Sequence, residues 1–368
     1  MKSIRETRVK KRMVAVSASA LVLALGVAAC GGDGEGGGGL SGEIAGAGAS
    51  SQDAAQQSWI AGFQEDNPEV TISYDPVGSG GGREQFIAGG SAYAGSDDAL
   101  EGEELMGAQE RCGGPDQLVE VPAYISPIAI VYNLEGVEEL RLSPETLAGI
   151  FKQDITKWDD EAIAKDNPDA ELPDTRITPV NRSDESGTTE NFVDYMAQVV
   201  PDVWTFEVSG DWPVEGGEAA DGTSGVIEAI EAGDGTIGYA DASQVGDNSV
   251  ATIDVGGEFV EPSPEAAAAV VEASERAGEG GENVFAFDLA RDTTESGTYP
   301  ITLVSYLIAC TQYDSAETGE VAGEYVSYIV SPEGQDAAAE AAGSAPLSDG
   351  LREQVQPAVD AIGGGGAG

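Results

Sequence analysis

Residues 181–192, Asn-Arg-Ser-Asp-Glu-Ser-Gly-Thr-Thr-Glu-Asn-Phe, gather the side chains best suited to chemistry in this chain. An apolar stretch that reads as a strand closes at Val180, and a helical pattern opens near Thr188. Backbone N–H groups at a helix start lack partners within the helix and face outward as donors, so the start favours negative charge. The serine and threonine hydroxyls beside them add further donors. Arg182 contributes a planar fork that matches two oxygens of a tetrahedral oxyanion, and Asp184 is placed to hold that guanidinium in register. The chemistry implied is anion capture. A capping turn carrying a surface ion pair uses the same residue types, and this segment alone leaves both readings open.

Two further segments have a similar character. Residues 77–83, Val-Gly-Ser-Gly-Gly-Gly-Arg, form a glycine-rich turn between a strand and a helix, where backbone can approach a ligand closely and Ser79 can donate a hydroxyl. The lysine and the spacing of a nucleotide-phosphate loop are missing. Residues 46–51, Gly-Ala-Gly-Ala-Ser-Ser, are a third donor-rich stretch ahead of a helical run. Three such segments can converge on one anion only if the fold brings them together.

The elements that must position them alternate between strand and helix, which indicates an α/β architecture. Residues 70–74 and 176–180 read as strands, and 124–132 as a buried strand. The turn at 78–82 leads into a helix over about 83–88. Ser143 and Pro144 mark a helix start. Helices are expected over 188–199, 223–232, 264–277, 321–329 and 334–342, with more core at 299–309. The acidic and small residues of 265–281 read as a solvated helix and loop without a function. No internal repeat is visible.

Composition narrows the function classes. The chain has 368 residues, no histidine and three cysteines. Without histidine, Ser-His-Asp and Cys-His catalysis and most zinc sites are excluded; neither a metal nor a cofactor is expected. Setting aside the first 29 residues, which hold six basic residues and Glu6, leaves 11 basic against 65 acidic, a net charge of −54. Such a surface repels nucleic acid, so any anion must be held by local donors.

The N-terminus has the layout of a secretory signal. Lys2, Arg5, Arg8, Lys10, Lys11 and Arg12 precede an apolar run over 13–28, then small residues and Cys30. Val27-Ala28-Ala29-Cys30 resembles the bacterial lipoprotein box, which implies lipidation of Cys30 and a glycine-rich tether over 30–40. A tether of that kind has a reach of roughly 15–20 Å. Removing Cys30 from the count leaves Cys112 and Cys310, an even pair in an oxidising compartment, expected to form a disulfide. Two buried free thiols are the other reading.

The body, over about residues 40–347, resembles the phosphate-binding proteins of Pst-type ABC importers. The motifs that carry the likeness are GAGASS at 46–51, VGSGGG at 77–82, AGSDDAL at 94–100, ITKWDDEAIAKDNP at 155–168 and NRSDESGTTENF at 181–192. The resemblance implies an α/β type II periplasmic-binding-protein fold with two lobes joined by two hinge crossovers. Lobe I would comprise 41–123 with 292–362, lobe II 124–291, and 363–368 would be a disordered tail. Both Cys112 and Cys310 then fall in lobe I.

Carried over by motif position, the family's phosphate contacts fall on Ser50, Ser51, Ser79, Asp97, Arg182, Ser186, Gly187 and Thr188, with Asp184 behind Arg182. Residues 50–51 are Ser-Ser where many relatives have Thr followed by an aromatic, so the second residue's contribution falls to its backbone N–H. A carboxylate at Asp97 is an acceptor and can take a hydrogen bond from the proton that phosphate keeps at neutral pH; sulfate has no such proton. A helix N-cap ahead of residues 98–100 is the other reading of Asp97. The resemblance further implies a non-catalytic monomer, lipid-anchored on the outer face of a bacterial cell membrane, which delivers inorganic phosphate to an ABC permease. A receptor for sulfate or molybdate, or a phosphate-sensing surface protein, is the alternative; a secreted phosphatase fits poorly without histidine.

Overall fold

The computed structural model describes residues 39–278 and 280–364. The expected signal peptide, Cys30 and nearly all of the tether lie outside the described residues, as do 365–368 of the expected tail. Gly363 itself packs against Gly319, where a Cβ on Gly363 would meet the Gly319 carbonyl oxygen at 2.0 Å.

The body opens with β1 (Ser41–Gly48), α1 (Asp53–Asp66), β2 (Glu69–Asp75), α2 (Ser79–Ile87), β3 (Tyr93–Ser96) and α3 (Gly102–Cys112). Then comes β4 (Leu118–Asn133), buried at every position but Asn133. A near-continuous apolar run of this kind suits a strand covered on both faces. Beyond it lie β5 (Arg141–Leu142), α4 (Pro144–Phe151), α5 (Glu161–Asp166), β6 (Thr178–Arg182) and α6 (Gly187–Val199). Next are β7 (Glu218–Ala220), α7 (Gly222–Ala232), β8 (Thr236–Asp241), β9 (Ser249–Val250), β10 (Thr252–Val255) and β11 (Glu258–Val260). The chain continues through α8 (Pro264–Ala273), β12 (Glu275–Arg276) and β13 (Phe287–Asp288). It returns on β14 (Thr302–Cys310) and ends with α9 (Ala316–Val330), α10 (Pro332–Ala342) and α11 (Asp349–Asp360).

The main sheet runs β2-β1-β3-β14-β4-β8-β6-β7, with β9 also paired to β4. β1, β2 and β3 are parallel, as are β6, β7 and β8, while β14 and β4 run antiparallel between the two sets. β4 belongs to both sets. Its residues 118–127 pair with β14 and its residues 128–133 with β8. Pro127 opposes Thr302 at the last pair before the partner changes, and Pro122 opposes Tyr306 where the register slips. Proline has no N–H to give a ladder, so both sit where pairing is interrupted or handed over.

The largest buried cluster spans both sets and includes Trp59, Tyr124, Phe151, Trp158, Phe192 and Tyr325. Smaller ones lie around Phe86 and Leu105 on one side and around Val180 and Val226 on the other. Cys112 and Cys310 are joined as a disulfide, with their Cα atoms 5.2 Å apart.

Three expectations need correction. Ser79 and the glycine run 80–82 form the first turn of α2 rather than a loop before it. A Cβ on Gly82 would lie 2.3 Å from the Gly48 Cα, so close packing of α2 on the end of β1 requires glycine there and overrides its poor helix propensity. The helix expected over 264–277 stops at Ala273. The Ser274 hydroxyl donates back to the Val270 carbonyl, and Glu275–Arg276 pairs with Phe287–Asp288 as strand. Nor is 265–281 simply solvated, since Ala266, Ala267, Val270 and Val271 are buried against the body.

Candidate anion-binding site

All the candidate residues lie just beyond the C-terminal ends of parallel strands, where open α/β sheets present their loops to ligands. Ser50 and Ser51 follow β1 in a short 3₁₀ turn, Ser79 starts α2 after β2, and Asp97 follows β3 directly. Arg182 ends β6, and Ser186 caps α6, accepting the Thr189 N–H at 3.2 Å. The next helix after Asp97 begins only at Gly102, so Asp97 is not a helix cap.

Asp97 is the meeting point. Its Oδ1 accepts the hydroxyls of Ser51 at 2.5 Å and Ser305 at 2.6 Å, and its Oδ2 accepts Thr188 at 2.8 Å. Its backbone N–H donates to the Ser79 hydroxyl at 3.1 Å, and its carbonyl accepts the Asn191 amide at 2.6 Å. Asp97 is 2% exposed and Ser51 fully buried. One carboxylate thus accepts hydroxyls from the turn after β1, from β14 and from the start of α6, while its own backbone N–H reaches the Ser79 hydroxyl at the start of α2.

Arg182 is held as the sequence suggests: Nε donates to Asp184 Oδ1 at 2.8 Å and Nη2 pairs with Asp184 Oδ2. Burial alone would raise the Asp184 carboxyl. The hydrogen bond and charge of Arg182, with the Gly222 N–H at 3.1 Å, instead hold it below the usual carboxylate range. The Arg182 N–H donates to the Tyr239 hydroxyl at 3.3 Å, and that hydroxyl also pairs with Thr189 Oγ1 at 2.7 Å. Burial pushes the Tyr239 phenol up to about 12, so it stays a neutral hydrogen-bonding group. Its ring stacks on Phe192, centroids 4.6 Å apart, which locks the start of α6 to the end of β6.

Ser50 faces a fourth helix start. Its hydroxyl pairs with Thr223 Oγ1 at 3.0 Å and accepts the Thr223 N–H at 3.2 Å. Three glycines let these loops interdigitate. A Cβ on Gly187 would lie 2.7 Å from Ser79 Oγ and 2.8 Å from Asp97 Cβ; one on Gly78 would lie 2.6 Å from Asp184 Oδ2, and one on Gly80 2.3 Å from Glu185.

Ser50, Ser51, Ser79, Asp97, Arg182, Ser186, Gly187 and Thr188 therefore come together, with Asp184 against Arg182. Ser305, Thr223, Tyr239 and Asn191 were not foreseen. Ser305 had one signal, a hydroxyl in the middle of an otherwise apolar strand, where a buried donor needs a partner. Thr223 had another, its place at the start of a helix. Among the described residues no cluster of three or more carboxylate or thiol side chains is arranged to hold a metal. The arrangement suits non-covalent capture of a small oxyanion.

Residues 33–333 match the family described as the PBP superfamily domain. The phosphate-binding protein PstS3 of Mycobacterium bovis is 31% identical over 323 residues, covering 87% of this chain and 86% of its own length. PstS of Haemophilus influenzae is 32% identical over 307 residues, covering 81% of this chain and 86% of its own. Among solved structures, a high-affinity periplasmic phosphate-binding protein bound with phosphate aligns with a TM-score of 0.69 at 24% identity, covering 86% of this chain and 93% of that one. The phosphate-binding protein of Stenotrophomonas maltophilia aligns at 0.65 and 20% identity, covering 86% and 94%. At such identities the structural likeness speaks to the fold, which is the type II periplasmic-binding-protein fold. The sequence relatives carry the family: this chain belongs to the PstS phosphate-binding proteins of the PBP superfamily.

Proposed function

We propose that the chain captures inorganic phosphate outside the cell and hands it to an ABC permease, without catalysis. The observation that carries this reading is Asp97, an acceptor set among hydroxyl donors at the start of α6. A fully deprotonated oxyanion would meet donors everywhere except at that carboxylate, where two acceptors would face each other at a cost of about 1–3 kcal/mol or more. A phosphate still carrying a proton can donate to it. Ser50, Ser51, Ser79, Ser186, Gly187 and Thr188 supply the remaining donors, and Arg182, with Nε and Nη2 engaged by Asp184, offers its free edge.

The two strand sets form two lobes, 41–123 with 292–362 and 124–291, which hinge where β4 changes partner and close over the ligand. Cys30, lipidated, and the glycine tether keep the monomer at the outer face of the membrane. The supporting observation is the sequence pattern at 27–30 alone; replacing Cys30 with alanine should release the protein into the medium, and continued membrane retention would sink the anchor.

The deciding experiment is calorimetric titration of the body, stripped of bound ligand, with phosphate and then sulfate at pH 8. One-to-one phosphate binding with sulfate silent supports the proposal. Sulfate binding of similar strength favours a general oxyanion receptor, and no binding by folded, empty protein overturns the capture role.

A further inference from the structure

Arg83 is 3% exposed on α2, in a body that has few cations to use. Its guanidinium meets three partners. Nε pairs with Glu104 Oε2 of α3 at 2.7 Å, and Nη1 donates to the hydroxyl of Ser96, the residue before Asp97, at 2.9 Å. Both belong to the same strand set as Arg83. The third partner does not: Nη2 pairs at 3.0 Å with Oε1 of Glu185, which lies in the loop between β6 and α6, one residue before the Ser186 cap.

Burying Arg83 does not require Glu185, because Glu104 already neutralises it. Glu185 is also adverse on simple electrostatics, since it places a carboxylate beside a loop that receives an anion. The fold nevertheless makes room for it. Gly80, one turn back on α2, has no side chain where a Cβ would strike the Glu185 carboxyl at 2.3 Å. The Glu185 side chain is 43% exposed, so this arm can part into water when the two strand sets separate, whereas the arm to Glu104 stays intact.

We propose that Arg83 and Glu185 form a latch across the cleft, a positioning pair that favours the closed form and slows release of the bound anion. The proposal rests on the phosphate-capture reading and the hinge at β4. A ligand gains apparent affinity from whatever populates its binding-competent state. A partly exposed ion pair shifts that population modestly, by about threefold, and does so less as salt screens it.

The test uses Glu185→Gln and Glu185→Lys, which leave Arg83 paired with Glu104. Phosphate release by stopped flow and affinity by titration are compared with the parent protein at low salt and at about 0.5 M salt. The latch predicts release about threefold faster and binding correspondingly weaker for Glu185→Gln at low salt. Glu185→Lys should go further, and the gap should narrow at high salt. Loss of a negative charge near the site would by itself tighten anion binding, so equal or tighter binding by Glu185→Gln overturns the latch. A spin-label distance between the strand sets, measured without ligand, separates the two levels. If the parent bound no phosphate the capture reading would fall, yet a longer distance in Glu185→Gln would still support the latch and an unchanged one would overturn it.

Discussion

Thr188 Oγ1 donates to Asp97 Oδ2 at 2.8 Å across 91 residues of chain, joining the first turn of α6 to the end of β3. The other oxygen of the same carboxylate takes Ser51 and Ser305. Asp97 therefore orders donors from both strand sets around a single acceptor.

Asp97→Asn exchanges one carboxylate oxygen for an amide donor of nearly the same shape. Phosphate loses the acceptor for its proton, while sulfate gains a donor. Expected is phosphate affinity weaker by about tenfold or more, with the preference over sulfate reduced by at least as much. Titration with each anion at pH 8 reads both quantities. An unchanged preference would remove Asp97 from discrimination.

Gly187→Ala tests the interdigitation of the loops. The new methyl would meet Ser79 Oγ and Asp97 Cβ inside 3 Å, so the strand sets must separate by a few tenths of an ångström or more. Overpacking of this kind costs about 1–3 kcal/mol, here charged to closure rather than folding. Phosphate affinity should fall about tenfold to hundredfold with the thermal midpoint of ligand-free protein little changed. A matching loss of stability would place the strain in the fold itself.

How much of this was legible depends on where each residue's partner lies. Arg182, Asp184, Ser186 and Thr188 sit within seven residues of one another in a strand-to-helix turn, and the local pattern pointed to anion capture while leaving a capping turn with an ion pair open. Ser305 and Thr223 find their partners 208 and 173 residues away, and nothing beside them in sequence says so. Tyr239 looks like one more core aromatic until its hydroxyl is seen to join Arg182 and Thr189. The glycines of 78–82 were read by their freedom, as a turn. Gly78 does use that freedom, with φ at +88°, but absence of bulk matters as well, and the neighbours that demand it at Gly78, Gly80 and Gly82, namely Asp184, Glu185 and Gly48, come from other segments of the chain. The buried face of α8 was readable from Ala266, Ala267, Val270 and Val271, but the acidic composition around them pointed elsewhere.

The disulfide closes 198 residues between the end of α3 and the end of β14. β14 runs antiparallel to β3, so Cys310 lies toward the start of β3 and away from Asp97. Replacing both cysteines with serine should cost about 2–4 kcal/mol in urea unfolding. Phosphate affinity should remain within about twofold, because the bond supports the strand set and not the donors. A large loss of binding in folded variant would tie the bond to the site.

Glu120 gives the chain a pH dependence that its net charge alone would not. It lies fully buried in β4, with Oε1 accepting the Leu100 N–H at 2.9 Å and Oε2 without a hydrogen-bond partner among the described residues. Burial raises the carboxyl to about 8, against the Leu100 N–H and the Arg83 charge that pull it down. In the unfolded chain a glutamate titrates near about 4.3. Below that value both states carry the proton and nothing is lost. Between there and about 8 the unfolded chain gives up its proton first, so stability falls as pH rises and levels off only above 8. Glu120→Gln removes the titration. The variant should be more stable than the parent at pH 9, by on the order of 2–4 kcal/mol, and the two should converge below about pH 4. Self-repulsion of the acidic surface acts on both proteins alike, so the difference between their urea midpoints across this range isolates Glu120. A difference that stayed constant with pH would show that the carboxyl does not change its protonation on unfolding.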